Sequence, residues 1–164
     1  EALQAQLLRS TGEADAYELD PVANTWKTFA PASTPHAKDA AVARVASLIF
    51  VIGGGGSVAT DAFDPVTGSW TAKKPVPSAG EKAYASAVAR GSKIYLMAGG
   101  NWESGSNEFW VYDTVSDTWT AKPAMLDSLN VGCGSVLGSV LFFVGGERAG
   151  VYGSAQSQQF DLGC

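Results

Sequence analysis

Short apolar runs alternate with polar and glycine-rich stretches along the chain. Three of these runs are rich in β-branched and aromatic residues, are bounded by glycine or serine, and end at a glycine pair. Runs of about six residues with such boundaries favour buried strands over helices. The predicted strands cover residues 47–52, 93–98 and 139–144.

A run of small residues precedes each apolar run. Alanine, serine, glycine and valine, together with Cys133, fill residues 40–43, 85–89 and 132–136. Such residues fit where strands of neighbouring sheets crowd together. Each small-residue run therefore predicts a strand that packs closely against another sheet.

A third pattern recurs in register with the glycine pairs. An apolar residue and an Asp are followed by a Trp six positions after the Asp, and a further copy begins at Phe160 and Asp161. The first glycines of the pairs, Gly53, Gly99 and Gly145, are spaced 46 residues apart, which indicates a repeat array. The complete copies are Leu19-Asp20 with Trp26, Phe63-Asp64 with Trp70, and Tyr112-Asp113 with Trp119.

The residues between each Asp and its Trp have the composition of a turn. They span residues 20–25, 64–69 and 113–118. The Asp side chain can accept hydrogen bonds from the backbone ahead, and Pro fixes φ where it is present. Asn, Gly or Asp near the end of each stretch can adopt a left-handed conformation. Each unit therefore predicts four strands in order: a small-residue strand, an apolar strand, a strand ending at the Asp, and a Trp strand.

These motifs resemble kelch repeats. The glycine pair, the aromatic-Asp-Pro step and the Trp six residues beyond the Asp together cover residues 17–162. The resemblance implies an all-β fold of kelch-type β-propeller blades, each of four antiparallel strands, in a partial or open ring. The family's usual Arg after the Trp strand is absent here, and Thr114 stands where Pro is usual. These departures weaken any assignment to a particular kelch subfamily.

The repeat landmarks divide the chain into units. An N-terminal segment of uncertain structure, residues 1–13, precedes a half-unit at 14–30. Complete units follow at 31–75 and 76–123, and an incomplete unit follows at 124–164. We expect the three repeating Trp residues to pack blade against blade, and the glycine pairs to let the backbone turn where a side chain would clash.

Composition excludes some functional classes. With 46% hydrophobic and 16% charged residues, the chain suits a globular protein, and its apolar runs are far shorter than a membrane-spanning helix requires. A net charge of −5 without a Lys/Arg cluster argues against nucleic-acid binding. No Asn-x-Ser/Thr glycosylation site is present, so we expect a soluble protein that is cytoplasmic or organellar rather than secreted.

The two cysteines are too few for a disulfide-rich scaffold. Cys133 lies 12 residues before Gly145, where Ala41 and Ala87 lie in the other units, so we expect it to be a buried small residue. The sequence leaves two alternatives for the cysteines, a disulfide between Cys133 and Cys164 or two free thiols.

Candidates for chemistry are few. His36 is the only histidine, which excludes a multi-His metal site and favours an exposed loop residue. The glycine-rich residues 53–57 lack the Gly-Lys-Ser/Thr of a phosphate-binding loop. We therefore expect no catalytic residue, no metal ligand and no cofactor.

The resemblance instead implies a protein-interaction module. In the family, the loops after the glycine pair and those after the Trp strand line one rim of the propeller, where partners dock. Trp102 lies outside the repeating Trp register, and Trp, Tyr and Arg are enriched at interaction hot spots. The candidate protein-binding residues are Trp102, Glu103, Arg148, Tyr152, His36, Lys38, Glu81, Lys82 and Asp127.

About three and a half blades are too few for a closed propeller, which typically has about 4 to 8. We therefore expect further blades or another chain to cover the open blade faces. The expected role is part of a larger propeller or an accessory subunit of a multiprotein assembly. The alternatives are the substrate-recognition domain of a ubiquitin-ligase adaptor and a fragment of a kelch-fold enzyme, either galactose-oxidase-like, an epimerase or a specifier protein.

Overall fold

The structure is a computed structural model that describes residues 16–101, 103–148, 153 and 155–163. The predicted N-terminal segment, residues 1–13, and three singled-out residues, Trp102, Tyr152 and Cys164, lie outside the described residues. Every element of regular structure that is described is a β-strand. The strands are β1 (Ala16–Asp20), β2 (Thr25–Phe29), β3 (Ala41–Val45), β4 (Leu48–Ile52), β5 (Thr60–Asp64), β6 (Ser69–Lys73), β7 (Ala83–Arg90), β8 (Lys93–Gly100), β9 (Phe109–Asp113), β10 (Thr118–Ala121), β11 (Cys133–Leu137), β12 (Val140–Val144) and β13 (Ser157–Asp161).

The strands form four antiparallel sheets in chain order. Strands β1 and β2 pair alone, β3 to β6 and β7 to β10 form two four-stranded sheets, and β11 to β13 form a three-stranded sheet. The predicted order within a unit is confirmed, with the small-residue strand at one edge and the Trp strand at the other. The sheets described do not close into a ring. The described part of the chain also contains no helix with the length and apolar character needed to cross a membrane.

The turns into the Trp strands have the predicted chemistry. The Oδ1 atom of Asp113 accepts hydrogen bonds from the backbone N–H groups of Val115 and Ser116, at 2.9 and 3.3 Å. Asp117, near the end of the same turn, has a φ of 52°. Equivalent positions in the other two turns are also left-handed, with a φ of 53° at Asn24 and 71° at Gly68. Local hydrogen bonds and left-handed residues therefore shape each turn, and the turn at Asp113 also has contacts with distant residues, since Thr114 donates to the carbonyl of Ser92.

The small-residue strands bring neighbouring sheets together. Strand β7 packs against β3 on one side and β11 on the other. A Cβ built at Gly134 of β11 would approach Met97 Cε at 2.6 Å and Val88 Cγ2 at 2.7 Å, so only glycine fits that contact without a shift. The same glycine donates its N–H to Ser86 Oγ at 2.8 Å. Small residues are thus required where these strands meet.

Indole groups join neighbouring sheets at the outer strands. The Trp70 ring packs on Phe63 of its own sheet, and Trp70 Nε1 donates to the carbonyl of Ala30, 2.9 Å away, just after β2. Trp119 packs in the same way on Tyr112 and donates to the carbonyl of Lys74 at 2.8 Å. The predicted role in blade-to-blade packing is confirmed for Trp70 and Trp119. It is wrong for Trp26, which is largely exposed because no described sheet precedes its own.

The glycine pairs turn the chain where neighbouring backbone approaches closely. Gly54 has a φ of +102°, and a Cβ at this position would lie 2.7 Å from the carbonyl oxygen of Ala37. Gly53 is also crowded, against Lys82 directly before the first strand of the next sheet. The predicted requirement for glycine at the first pair is confirmed.

Apolar side chains are exposed on the last sheet and on the first four-stranded sheet. Leu137 is 76% exposed and Val144 55% exposed on the last sheet, and Val42 is 45% exposed on the first four-stranded sheet. On β3, Ala41, by contrast, is buried against the following sheet.

The expectation that Cys133 is buried is wrong. Its thiol is free and exposed because it lies on the side of β11 that no described sheet covers. It lies opposite Val144, as Ala41 lies opposite Ile52. The matching residue of the middle sheet is Ala85 rather than Ala87, because Ala85 lies opposite Ala98.

Candidate functional site

The loops that follow the glycine pairs and the loops that precede the small-residue strands lie along one edge of the sheets. We call this the loop edge; it comprises the described parts of residues 30–40, 53–59, 74–82, 101–108, 122–132 and 145–156. Backbone bridges join these loops between Gly54 and Lys82, between Ser106 and Leu129, and between Asn130 and Glu147. The edge is therefore continuous from one sheet to the next.

Five candidate residues remain at or near the surface of the loop edge. Lys38 and Glu103 are exposed, and Arg148 is 60% exposed. Glu81 is half-buried, with its carboxylate accepting the backbone N–H of Gly56. Asp127 is 21% exposed and lies 3.7 Å from the Arg148 guanidinium. The structure thus brings Asp127 and Arg148 together and leaves Lys38 and Glu103 free to contact solvent.

The expectation of an exposed His36 is wrong. Its ring is only 5% exposed, with Nδ1 2.9 Å from the carbonyl oxygen of Gly53 and Nε2 2.8 Å from Oδ2 of Asp61. The carbonyl can only accept, so Nδ1 must donate. The contact with Asp61 then requires one further proton, held either on Nε2 against a carboxylate or on Oδ2 of a neutral carboxyl. His36 is therefore a buried residue that connects Gly53 to Asp61, and it is not a surface group.

Lys82 is buried as well. Its side chain is 2% exposed, and Nζ lies 2.6 Å from Oε2 of Glu108 and 3.4 Å from Ser106 Oγ. Partial burial of Glu108 favours its neutral form, but hydrogen bonds from Lys82, Trp110 and Ser78 outweigh this and lower its pKa. The ammonium of Lys82 is therefore committed to an internal ion pair and is not offered to a partner.

These two buried pairs occupy corresponding positions in successive sheets. His36 and Lys82 each stand 17 residues before the first glycine of their pair, Gly53 and Gly99. Each side chain reaches an acid near the start of the third strand of its own sheet. The equal spacing was visible in the sequence, but the acidic partners lie about 25 residues away and only the fold brings them close.

The described residues contain no group of three or more His, Cys, Asp or Glu side chains arranged to hold a metal ion. Asp61 Oδ1 and Thr60 Oγ1 are buried without a hydrogen-bond partner. Both atoms lie at the start of β5, beside the His36 contact. The arrangement of fixed loops and exposed charged side chains is suited to contact with another macromolecule.

Comparison with known proteins gives consistent matches. The family model described as Kelch motif matches residues 82–126. Kelch-like protein 35 of Mus musculus is 35% identical over 147 residues, which cover 81% of this chain and 24% of that protein. Kelch-like protein terF of Aspergillus terreus is 29% identical over 163 residues, which cover 85% of this chain and 34% of that protein. Kelch-like protein 25 of Xenopus tropicalis is 40% identical over 76 residues, 44% of this chain and 13% of that protein.

The chain spans about a quarter to a third of the length of the first two relatives. The family model falls on the sheet formed by β7 to β10, and the strands, turns and indole contacts of that sheet recur in the sheet before it. The chain therefore belongs to the kelch-repeat family.

Proposed function

We propose that this chain is a non-catalytic protein-interaction module that binds a protein partner through the loop edge. It would act as part of a larger propeller or as an accessory subunit of a multiprotein assembly. The observation that carries the proposal is the continuity of the loop edge, since backbone bridges tie each loop to the loop of the next sheet. A surface whose backbone is already ordered loses little conformational entropy on binding.

The proposed contact residues are those with accessible side chains. They are Lys38, Glu81, Glu103, Asp127 and Arg148. Trp102 and Tyr152 belong to the same loops in the sequence, lie outside the described residues, and stay in the proposal as hot-spot types. His36 and Lys82 are left out because their side chains are buried.

Lysine cross-linking of the protein, purified with its partners from its native source, tests this proposal. Lys38 lies on the loop edge, whereas Lys93 follows the β7–β8 hairpin turn at the opposite end of the sheet. We expect partner cross-links at Lys38. Cross-links confined to Lys93 would overturn the proposed surface.

Charge reversal supplies the second readout. Arg148→Glu combined with Glu103→Lys should weaken partner binding by about tenfold or more if these charges lie in the interface. Arg44→Glu is the matched control, because Arg44 is exposed beside the β3–β4 turn, away from the loop edge. Equal binding by all variants would contradict the placement, and a stoichiometric transition metal in the purified complex would contradict the non-catalytic role.

A further inference from the structure

The buried contact between His36 and Asp61 fixes one part of the loop edge. The His36 ring lies 2.9 Å from the Gly53 carbonyl oxygen through Nδ1 and 2.8 Å from Asp61 Oδ2 through Nε2. Gly53 directly follows β4, and Asp61 belongs to β5. The ring therefore connects the loop before β3 to both ends of the loop at residues 53–59.

The loop at residues 53–59 contacts two of the proposed partner-binding residues. Backbone N–H groups of this loop donate to the carbonyl of Lys38, at 3.1 Å, and to the carboxylate of Glu81. The N–H of Gly54 donates to the carbonyl of Lys82 at 3.1 Å, which forms the bridge to the next sheet. Release of this loop would therefore interrupt the loop edge between the two four-stranded sheets.

The His36–Asp61 pair fits this geometry only with a shared proton. Because Nδ1 already donates to a carbonyl, the proton between Nε2 and Oδ2 is the second proton of the pair. Without it, two lone pairs would face each other across 2.8 Å at a fully buried carboxylate. A third proton would go to Asp61 Oδ1, which is buried without a hydrogen-bond partner among the described residues. The closed pair therefore holds two protons.

Separated in water, the same two side chains hold fewer protons at neutral pH and above. An exposed imidazole loses its second proton near pH ~6.5, and an exposed aspartate is ionised above about pH 4. Above about pH 6.5 the separated side chains thus hold one proton, and closure takes up one more from solvent. Each unit of pH rise in that range favours the open form about tenfold. Between about pH 4 and 6.5 both forms hold two protons, so closure does not depend on pH.

The neighbouring titratable groups do not account for such a dependence. Lys73 lies opposite Thr60, so its side chain is on the other face of the sheet from Asp61. The Lys82 ammonium is paired with Glu108. Histidine is the side chain that ordinarily changes charge between about pH 5 and 8, and the chain has one histidine. The other titratable residues on the loops and strands around the pair are Lys38, Asp39, Glu81 and Tyr84.

We propose that the His36–Asp61 pair is a pH-dependent switch of the loop edge, which holds the loop at residues 53–59 in place below about pH 6.5 and releases it increasingly as the pH rises. Opening returns the shared proton to solvent. This inference rests on the proposed function, because it concerns the regulation of the same surface. Partner contacts at Lys38 and Glu81 should weaken as the loop is released.

Amide hydrogen exchange measured by NMR between about pH 6 and 8.5 tests the switch on the protein without a partner. The protection of the Gly54 amide is its exchange rate relative to that of an unstructured peptide at the same pH. We expect this protection to fall by about tenfold per pH unit above about pH 6.5. The Glu147 amide is the control, because it donates to the Asn130 carbonyl at 2.7 Å in a bridge without a histidine. Its protection should not change over this range.

Two variants assign the pH dependence to the pair. In Asp61→Asn, the side-chain amide can donate to Nε2 of a neutral His36, so the loop is held without a shared proton. The protection of Gly54 should then no longer fall above about pH 6.5. His36→Gln keeps an N–H donor but cannot titrate, and it should also remove the pH dependence.

Three results would overturn the inference. They are the same pH dependence of protection at Gly54 and Glu147, an unchanged dependence in Asp61→Asn, and a ¹⁵N NMR spectrum in which Nδ1 of His36 carries no proton in the closed protein. The measurement on the unchanged protein does not depend on the folding of any variant.

Failure of the switch is distinguishable from failure of the proposed function. Arg148→Glu combined with Glu103→Lys changes exposed residues of other loops, so it should leave the protection of Gly54 and its pH dependence unchanged. If the partner binds equally well to this variant, the proposed contact surface is wrong while the exchange data still decide on the switch. If the partner binds at the loop edge but the protection of Gly54 does not vary with pH, only the switch is wrong.

Discussion

Trp119 Nε1 donates a hydrogen bond to the backbone carbonyl of Lys74 across a distance of 2.8 Å, joining the third sheet to the second. The Lys74 N–H in turn donates to Asp117, which also accepts the hydroxyl of Tyr112 at 2.6 Å. The segment after β6 is therefore held by two side chains of the next sheet and its turn, Trp119 and Asp117, and Tyr112 in turn donates to Asp117. This contact is the physical link between the Asp-to-Trp sequence pattern and the stacking of blades.

The indole hydrogen bond makes a measurable contribution to stability. Trp119→Phe keeps most of the aromatic packing on Tyr112 but leaves the Lys74 carbonyl without its donor, so we expect a loss of about 1 kcal/mol in the free energy of unfolding. Trp26→Phe is the control, because Trp26 is 54% exposed on the first sheet. Urea unfolding should show a smaller effect for the control; equal losses would argue against a special role for the Trp119 contact.

The His36 pair should behave as a buried unit. Replacement of His36 by Leu leaves the fully buried Asp61 carboxyl without its partner, and we expect a loss of about 3 kcal/mol or more. The double variant His36→Leu, Asp61→Leu removes both polar groups and should be more stable than the single variant. A double-mutant cycle from chemical denaturation measures this coupling. Additive effects would mean that the two side chains do not interact.

Two glycines of one loop provide a matched test of backbone crowding. Gly54 and Gly56 both have positive φ, but a Cβ at Gly54 meets the Ala37 carbonyl oxygen at 2.7 Å, whereas a Cβ at Gly56 meets nothing within 4 Å. Gly56→Ala should therefore cost only the backbone strain of about 1 kcal/mol. Gly54→Ala should cost clearly more. Thermal unfolding of both variants gives the comparison, and equal losses would disprove the close approach.

The protein should become less stable in acid because the carboxylates of the turns are protonated there. Backbone N–H groups within each turn hold the pKa values of Asp20, Asp64 and Asp113 below their ordinary value of 3.8. Because the folded-state pKa is depressed, this stabilisation is fully present above the ordinary value and is lost as the pH falls through and below it.

Asp64→Asn tests this titration. Asn keeps an oxygen acceptor for the N–H of Val66 but cannot titrate in this range. Urea midpoints measured at pH 7 and at pH values below 4 should fall less with pH for the variant than for the unchanged protein. An identical acid dependence would show that the Asp64 turn does not contribute.

The parts of the fold that were predictable are those encoded by local chemistry. The turn at Asp113 forms from its own side chain and the next few backbone groups, and the strand ending at Ile52 is bounded by a glycine that its neighbours require. Such features repeat with the sequence, so the four-strand order followed from them.

The errors concern contacts made at a distance. The burial of His36 depends on Asp61, which is 25 residues away in the chain. The exposure of Cys133 depends on whether a further sheet covers its side of β11, which no local pattern encodes. In the sequence, Lys82 belongs to a predicted loop before a small-residue strand, and only the fold brings its side chain to Glu108.

Amide hydrogen exchange measured by NMR on the protein at low concentration tests the open fourth sheet most directly. Ala62 of β5 and Gln159 of β13 hold the same position relative to Phe63 and Phe160, but β5 pairs with β6 on its outer side, whereas no described strand pairs with the outer side of β13. We expect the Gln159 amide to exchange more than about tenfold faster than that of Ala62, a difference of about 1.4 kcal/mol in local opening. Equal protection of the two amides in the monomer would contradict the pairing of β13 with β12 alone.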